Sequence, residues 1–208
     1  VYKQLSVSKQ EANELSKLFD EPQKLQAIDS ILNRILSYES TFTRLYEAKQ
    51  VDIQGKTKFE QEALGVTTSI DEVLSSIEAY YNRHQDDFEE FNRFIQAKEF
   101  KDLFNETRVA VWKFNERASA QRIKAIETKL VKLEGIIPRL KAIMLEPETQ
   151  QKLNELTNLL QSYKALYADV KSANTTLETL TTQMFREANA ANEQTLQLAL
   201  LERNITES

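Results

Sequence analysis

Three glycines and three prolines in 208 residues constrain this chain more than any other feature, because an average soluble domain carries about 12% of the two combined. Sheets joined by tight turns need glycine for positive φ and proline for preset φ at their corners. A chain without these corner residues folds as an all-α protein. Hydrophobic residues make up 41%, enough to build a core, and the length allows one or two domains. With no Cys and one His, thiol nucleophiles, disulfides, iron–sulfur clusters and nearly every zinc site lack their ligands. No phosphate loop, nucleophile elbow or paired acid and base is present. The chain therefore reads as a non-enzyme, with no catalytic residues, no cofactor and no metal expected.

A net charge of −5 and a pI near 5.2, with Lys and Arg scattered among acids, leave no basic stripe for a phosphate backbone, so nucleic acid is not an expected partner. No apolar run reaches the ~20 residues that span a bilayer. The amino end, Val-Tyr-Lys-Gln-Leu, is neither a signal peptide nor a methionine start, which suggests a piece excised from a longer protein.

The rare prolines disclose an internal repeat. Phe19-Asp20-Glu21-Pro22 and Met144-Leu145-Glu146-Pro147 are offset by 125 residues. The same gapless offset pairs Leu15 with Leu140, Ile28 with Leu153, Ile31 with Leu156, Ile35 with Leu160, Tyr38 with Tyr163 and Phe42 with Tyr167. Each copy reads as a short helix, a Glu-Pro turn and a long helix begun by proline, whose fixed φ suits the first helical position. Seams of period ~3.5 follow both prolines, the mark of helices packed side by side. The first long helix is expected from Pro22 to about Arg83, which would reach roughly 90 Å, with bends at Gly55 and Gly65. Pro138, after Gly135, is expected to kink or break the second short helix. An aromatic-rich helix at about 85–119 joins the copies and has no counterpart in the first.

This asymmetry predicts that a helix of some 35–40 residues precedes Val1 in an intact six-helix unit. The expected architecture is two stacked four-helix-bundle modules sharing two long helices. The upper module would comprise approximately residues 1–52 and 120–178. The lower module, approximately 53–119 and 179–208, would lack its first helix in this chain.

The layout resembles a family, the helical bimodular sensor domain of bacterial methyl-accepting chemotaxis receptors and some sensor histidine kinases. The resemblance rests on Arg108-Val109-Ala110-Val111-Trp112-Lys113-Phe114, on Leu130, Leu133, Leu140 and Ile143, on the turn Glu146-Pro147, and on Leu160, Tyr163 and Tyr167. It repeats at Glu21-Pro22 and Tyr38 to Phe42. It implies a periplasmic-facing ligand-binding domain of an inner-membrane receptor, its upper module membrane-distal and its lower module membrane-proximal, attached to the membrane only through flanking transmembrane helices and homodimeric in the full receptor. It further implies small organic acids as ligands, with dicarboxylates such as malate or succinate in one module and acetate in the other. The departure is the absent first helix, which in the family contributes arginines.

Arg108 is the leading candidate for a ligand contact. Phe104, Val111 and Trp112 lie one turn away, which puts its guanidinium on an apolar helix face suited to a bidentate carboxylate. The plainer alternative is an arginine that snorkels outward or pairs with a bundle Glu. Counting levels from a hairpin near Arg83 and His84, taken as the membrane end, sets Arg108 beside residues near 60 and 184. Lys56, Thr181 and Thr182 would then share its proximal-module pocket, or form a register-fixing polar layer. In the distal module, Tyr38 and Tyr163 with Arg44 form a weaker candidate site, and Lys164 lies near them. His84 reads as a solvated turn residue and the acidic pairs Asp86-Asp87 and Glu89-Glu90 as a solvated helix start. A helical scaffold protein, or the same sensor fold with a non-carboxylate ligand, remains the alternative function.

Overall fold

A computed structural model describes residues 2–82 and 88–206. Among these there are five α-helices and no strand: α1 (Tyr2–Ser16), α2 (Pro22–Tyr81), α3 (Phe88–Glu116), α4 (Ala120–Ile143) and α5 (Pro147–Thr206). The all-α expectation holds, and α2 and α5 begin at the two prolines singled out by the repeat. Both are 60 residues long, and both start in the same way. The Glu21 carbonyl accepts from the N–H of Lys24 and of Leu25 at 3.1 Å, and that of Glu146 from Gln150 N–H at 2.9 Å. Proline at the first helical position forgoes only an N–H that has no intrahelical partner.

The chain divides into a terminal unit, Val1–Val51 with Thr175–Ser208, and a central unit, Asp52–Asn174. The long helices change unit near residues 52 and 175, and the partners expected to share a unit are exchanged. Residues 120–174 were assigned to the module of 1–52; they pack instead with 53–119. The reason is chain direction. Within the central unit the α2–α5 contacts run antiparallel: Phe59 meets Tyr163, and Ser76 accepts a hydrogen bond from Lys152 Nζ at 2.8 Å. The first part of α5 therefore lies along the last part of α2. Grouping the first halves of both long helices, as the repeat suggested, would require them to run parallel.

The central unit is a complete four-helix bundle. Its α2 seam is Phe59, Ala63, Val66, Ile70, Val73 and Ile77, and its α5 seam Leu153, Leu156, Leu160, Tyr163, Tyr167 and Val170, all buried. Alternating steps of three and four place each seam opposite its neighbours as knobs in holes. On α3 the seam runs Ala97, Phe100, Phe104, Val111 and Phe114, and fully buried Thr107 fills the remaining position by donating its hydroxyl to Leu103 O at 2.7 Å. Side chains tie the connections. Ser119 caps α4 by accepting from Arg122 N–H at 3.3 Å, while the Arg122 guanidinium donates to the α3-end carbonyls of Lys113 and, at 2.8 Å, Arg117. Gln150 donates to Lys141 O at 2.6 Å and to Met144 O across the α4–α5 turn.

Pro138, expected to kink or break the second short helix, does not break it, since α4 runs through it. Pro138 and Gly135 both lie on the exposed face, whereas Leu133, Ile136, Ile137 and Leu140 are buried on the other. Burial of four large side chains, each worth ~1.5–3 kcal/mol, outweighs the ~3 kcal/mol proline penalty. Gly55 and Gly65 likewise sit inside a continuous α2, and neither has positive φ. A Cβ added at Gly135 would meet nothing within 4 Å. Gly135→Ala is therefore expected to stabilise the central unit by about 0.5–1 kcal/mol, read as a raised urea midpoint with an unchanged m-value.

The terminal unit contains three helical segments: α1, the first part of α2 and the last part of α5. The module expected to lack a helix was instead the one containing α3. The terminal core is small, with Ala12, Ile28 and Leu198 buried and Phe19, Ala27, Ile31 and Leu32 partly so. Its ties are largely polar, including the ion pair Arg34–Glu187 at 3.2 Å and the contact of Lys9 with Glu39. Tyr2 packs edge-on to Phe42 and shares a 3.1 Å hydrogen bond with Thr43.

Candidate functional site

Helix α3 presents Asn105, Arg108, Trp112 and Asn115 along one face, at successive spacings of three, four and three. Helix α2 sets Phe59, Glu60 and Ala63 against them, and the two helices enclose a cleft of about 530 Å³ within the central unit, a size suited to a small molecule. Its floor is apolar: Phe59, Ala63 and Val111 are buried. Trp112, the only tryptophan, lines the cleft with 60% of its surface exposed.

Arg108 occupies the rim of this floor and is exposed. Its Nη1 donates a long, 3.3 Å hydrogen bond to Thr67 Oγ1 on α2. Among the described residues it forms no ion pair with Glu60 or with any other carboxylate. The guanidinium thus retains most of its five donors for a partner. A larger groove of about 700 Å³ on the neighbouring face of α3 is different, because there Glu106 is already paired with Lys129. That lysine holds the Glu106 carboxyl below its ordinary range.

Beneath the cleft lies a fully buried aromatic group. Tyr163 from α5 packs against Phe59, with ring centroids 4.3 Å apart, and edge-on against Phe104 at 5.0 Å. Its hydroxyl is buried without a hydrogen-bond partner, as are the Tyr167 hydroxyl and Asn115 Oδ1. Burial pushes the Tyr163 hydroxyl pKa well above its ordinary value, with the Arg108 charge pulling part of the way back. Tyr167 is pushed up to about 12, mainly by burial and then by the charge of Glu127.

The residues expected to share a site are only partly brought together. Arg108 and Trp112 line the cleft, and Tyr163, assigned from sequence to the other module with Tyr38 and Arg44, lies in the same unit as they do. Lys56 is in the central unit one turn before Glu60, but it is held by buried Asp52 at 2.9 Å. Thr181, Thr182, Tyr38 and Arg44 belong to the terminal unit, where Tyr38 and Thr181 are half-buried and Arg44 is exposed. The Thr182 hydroxyl donates to Glu178 O at 2.9 Å in its own helix. The expected polar band therefore does not form, because residues near 184 were matched to residue 60 by level counting from the wrong end of α5. Lys164 is paired with Glu134. Arg83, His84 and Asp86-Asp87 lie outside the described residues, as do the side chains of Glu89 and Glu90.

Glu60, Thr67, Asn105 and Asn115 escaped the sequence reading. Asn105 and Asn115 carried a usable signal, since they lie three residues before and seven after Arg108 on one helical face. Glu60 and Thr67 did not, because their place depends on the α2–α3 register. No helix among the described residues is long and apolar enough to cross a membrane, and none of their His, Asp or Glu side chains group in threes to hold a metal. No protein-family model matches the chain, and no curated protein matches it in sequence.

Proposed function

We propose that the chain is the ligand-binding sensor domain of a bacterial receptor of the chemotaxis type, placed outside the inner membrane, and that it takes a small organic acid at the Arg108 cleft. The observation that carries this reading is a guanidinium on the rim of an apolar cleft with no carboxylate partner among the described residues. A carboxylate supplied by a ligand would convert the single long bond to Thr67 into a charge-assisted fork. Because the cleft is built from α2 and α3, an occupant touching both would bias one packing of the two helices over another, which is the elementary step of signalling along a long helix.

Trp112 reports occupancy directly, since it is the only indole in the chain and lines the cleft. Titration with acetate, succinate, malate, citrate and an apolar amino acid is expected to shift its emission and release heat for at least one of them. Arg108→Ala should weaken that ligand about tenfold, the equivalent of losing one charge-assisted hydrogen bond. Silence from all of these acids, or unchanged binding by the variant, overturns the reading. A second reading, a helical scaffold, is favoured by the apolar seams of α2 and α5 in the central unit; it expects no response of Trp112 to any small molecule.

A further inference from the structure

Two opposite charges line the cleft without neutralising each other. Arg108 projects from α3 and Glu60 from α2, and no ion pair joins them among the described residues. Lys56, one turn before Glu60, is engaged by Asp52. The remaining polar lining residues, Asn105 and Asn115, are neutral amides, and Asn115 carries a buried acceptor oxygen with no donor. The apolar remainder is Phe59, Ala63, Val111, Val109 and the exposed indole of Trp112.

We infer that the ligand of this cleft is zwitterionic, an amino acid with an apolar or aromatic side chain, its carboxylate on Arg108, its ammonium on Glu60 and its side chain against Trp112. This rests on the carboxylate reading of Arg108 and narrows it. A dicarboxylate would satisfy Arg108 once and then set its second charge near Glu60 with no second cation among the lining residues, a like-charge arrangement that disfavours binding. A zwitterion gives each lining charge an opposite partner, its ammonium supplying the donor that the Glu60 carboxylate lacks. It would also join α3 to α2 through the two ends of one molecule, so that occupancy draws the helices together where a simple acid would hold α3 alone.

The test is a calorimetric titration of the chain with L-phenylalanine and with two analogues that each lack one charge, 3-phenylpropanoate and phenethylamine, with succinate in parallel. L-phenylalanine is expected to bind about tenfold tighter than either analogue, one charge-assisted hydrogen bond's worth. Glu60→Gln should weaken L-phenylalanine to the level of 3-phenylpropanoate and at the same time strengthen succinate. Opposite signs for two ligands exclude a general loss of structure, and Glu60 is exposed, so the melting temperature of the variant should stay that of the parent. If 3-phenylpropanoate matches L-phenylalanine, or the preference survives in Glu60→Gln, the zwitterion inference is overturned while binding through Arg108 stands. Binding of phenethylamine without any acid overturns both.

Discussion

Phe104→Ala is expected to lower the stability of the central unit by about 3–5 kcal/mol, the range for deleting a fully buried aromatic ring. Phe104 is 1% exposed. It lies beside Phe100 in near-parallel stacking, with centroids 6.4 Å apart, and receives the edge of Tyr163 at 5.0 Å. Contacts on two helices are therefore lost at once, since Phe100 and Phe104 are on α3 and Tyr163 is on α5. The rigid rings of Phe100 and Tyr163 beside it limit collapse into the void, which places the expected cost toward the upper part of the range. Urea unfolding followed by circular dichroism checks it. Because the terminal unit has a core of its own, the transition assigned to the central unit should move while the other stays. A loss below about 1 kcal/mol would mean that the ring is not packed as described.

Alkaline pH should unfold the central unit earlier than its surface charge suggests, with Tyr163 as the main cause. In the unfolded chain a phenol loses its proton near pH 10, whereas burial keeps the Tyr163 hydroxyl protonated to considerably higher pH. The folded state then holds a proton that the unfolded state has released. Stability is full below pH 10 and falls above it by about 1.4 kcal/mol per pH unit for this one group. Tyr167, pushed up to about 12 by burial, adds a loss of the same sign over pH 10–12. Tyr163→Phe removes the larger contribution and also deletes a buried hydroxyl that has no partner. The variant should therefore be more stable by about 2 kcal/mol at neutral pH, and its decline above pH 10 should be shallower. Urea midpoints measured from pH 7 to 12 for both proteins check the two parts separately. A destabilised Tyr163→Phe would show that the hydroxyl makes a hydrogen bond in solution.

Both expectations concern a residue whose surroundings the repeat misplaced. Tyr163 and Tyr38 occupy equivalent positions in the two copies, yet Tyr163 is fully buried in the central four-helix bundle and Tyr38 half-buried in the terminal unit. Sequence equivalence does not carry environment with it, because burial depends on which other helices come alongside. The heptad steps of α2 and α5 were legible throughout, since each seam is a property of one helix and repeats within its own residues. Arg108 and Trp112 were legible as a pair for the same reason. Glu60 was not, since its relation to Arg108 exists only between helices.

The scarcity of glycine and proline, the Glu-Pro helix starts and the three-four spacing of apolar residues determined by themselves that this chain forms long helices and where those helices begin. These are local matters, settled by φ restriction, capping and the period of one helix. Only the tertiary structure decided that α5 runs antiparallel to α2, and therefore that Asp52–Asn174 forms a complete bundle, that Tyr163 lies beneath the face bearing Arg108, and that Thr181 and Thr182 lie elsewhere. Direction is set by the number of reversals between two helices and by which pair of apolar seams buries more surface. Neither quantity is contained in the spacing of residues along one helix.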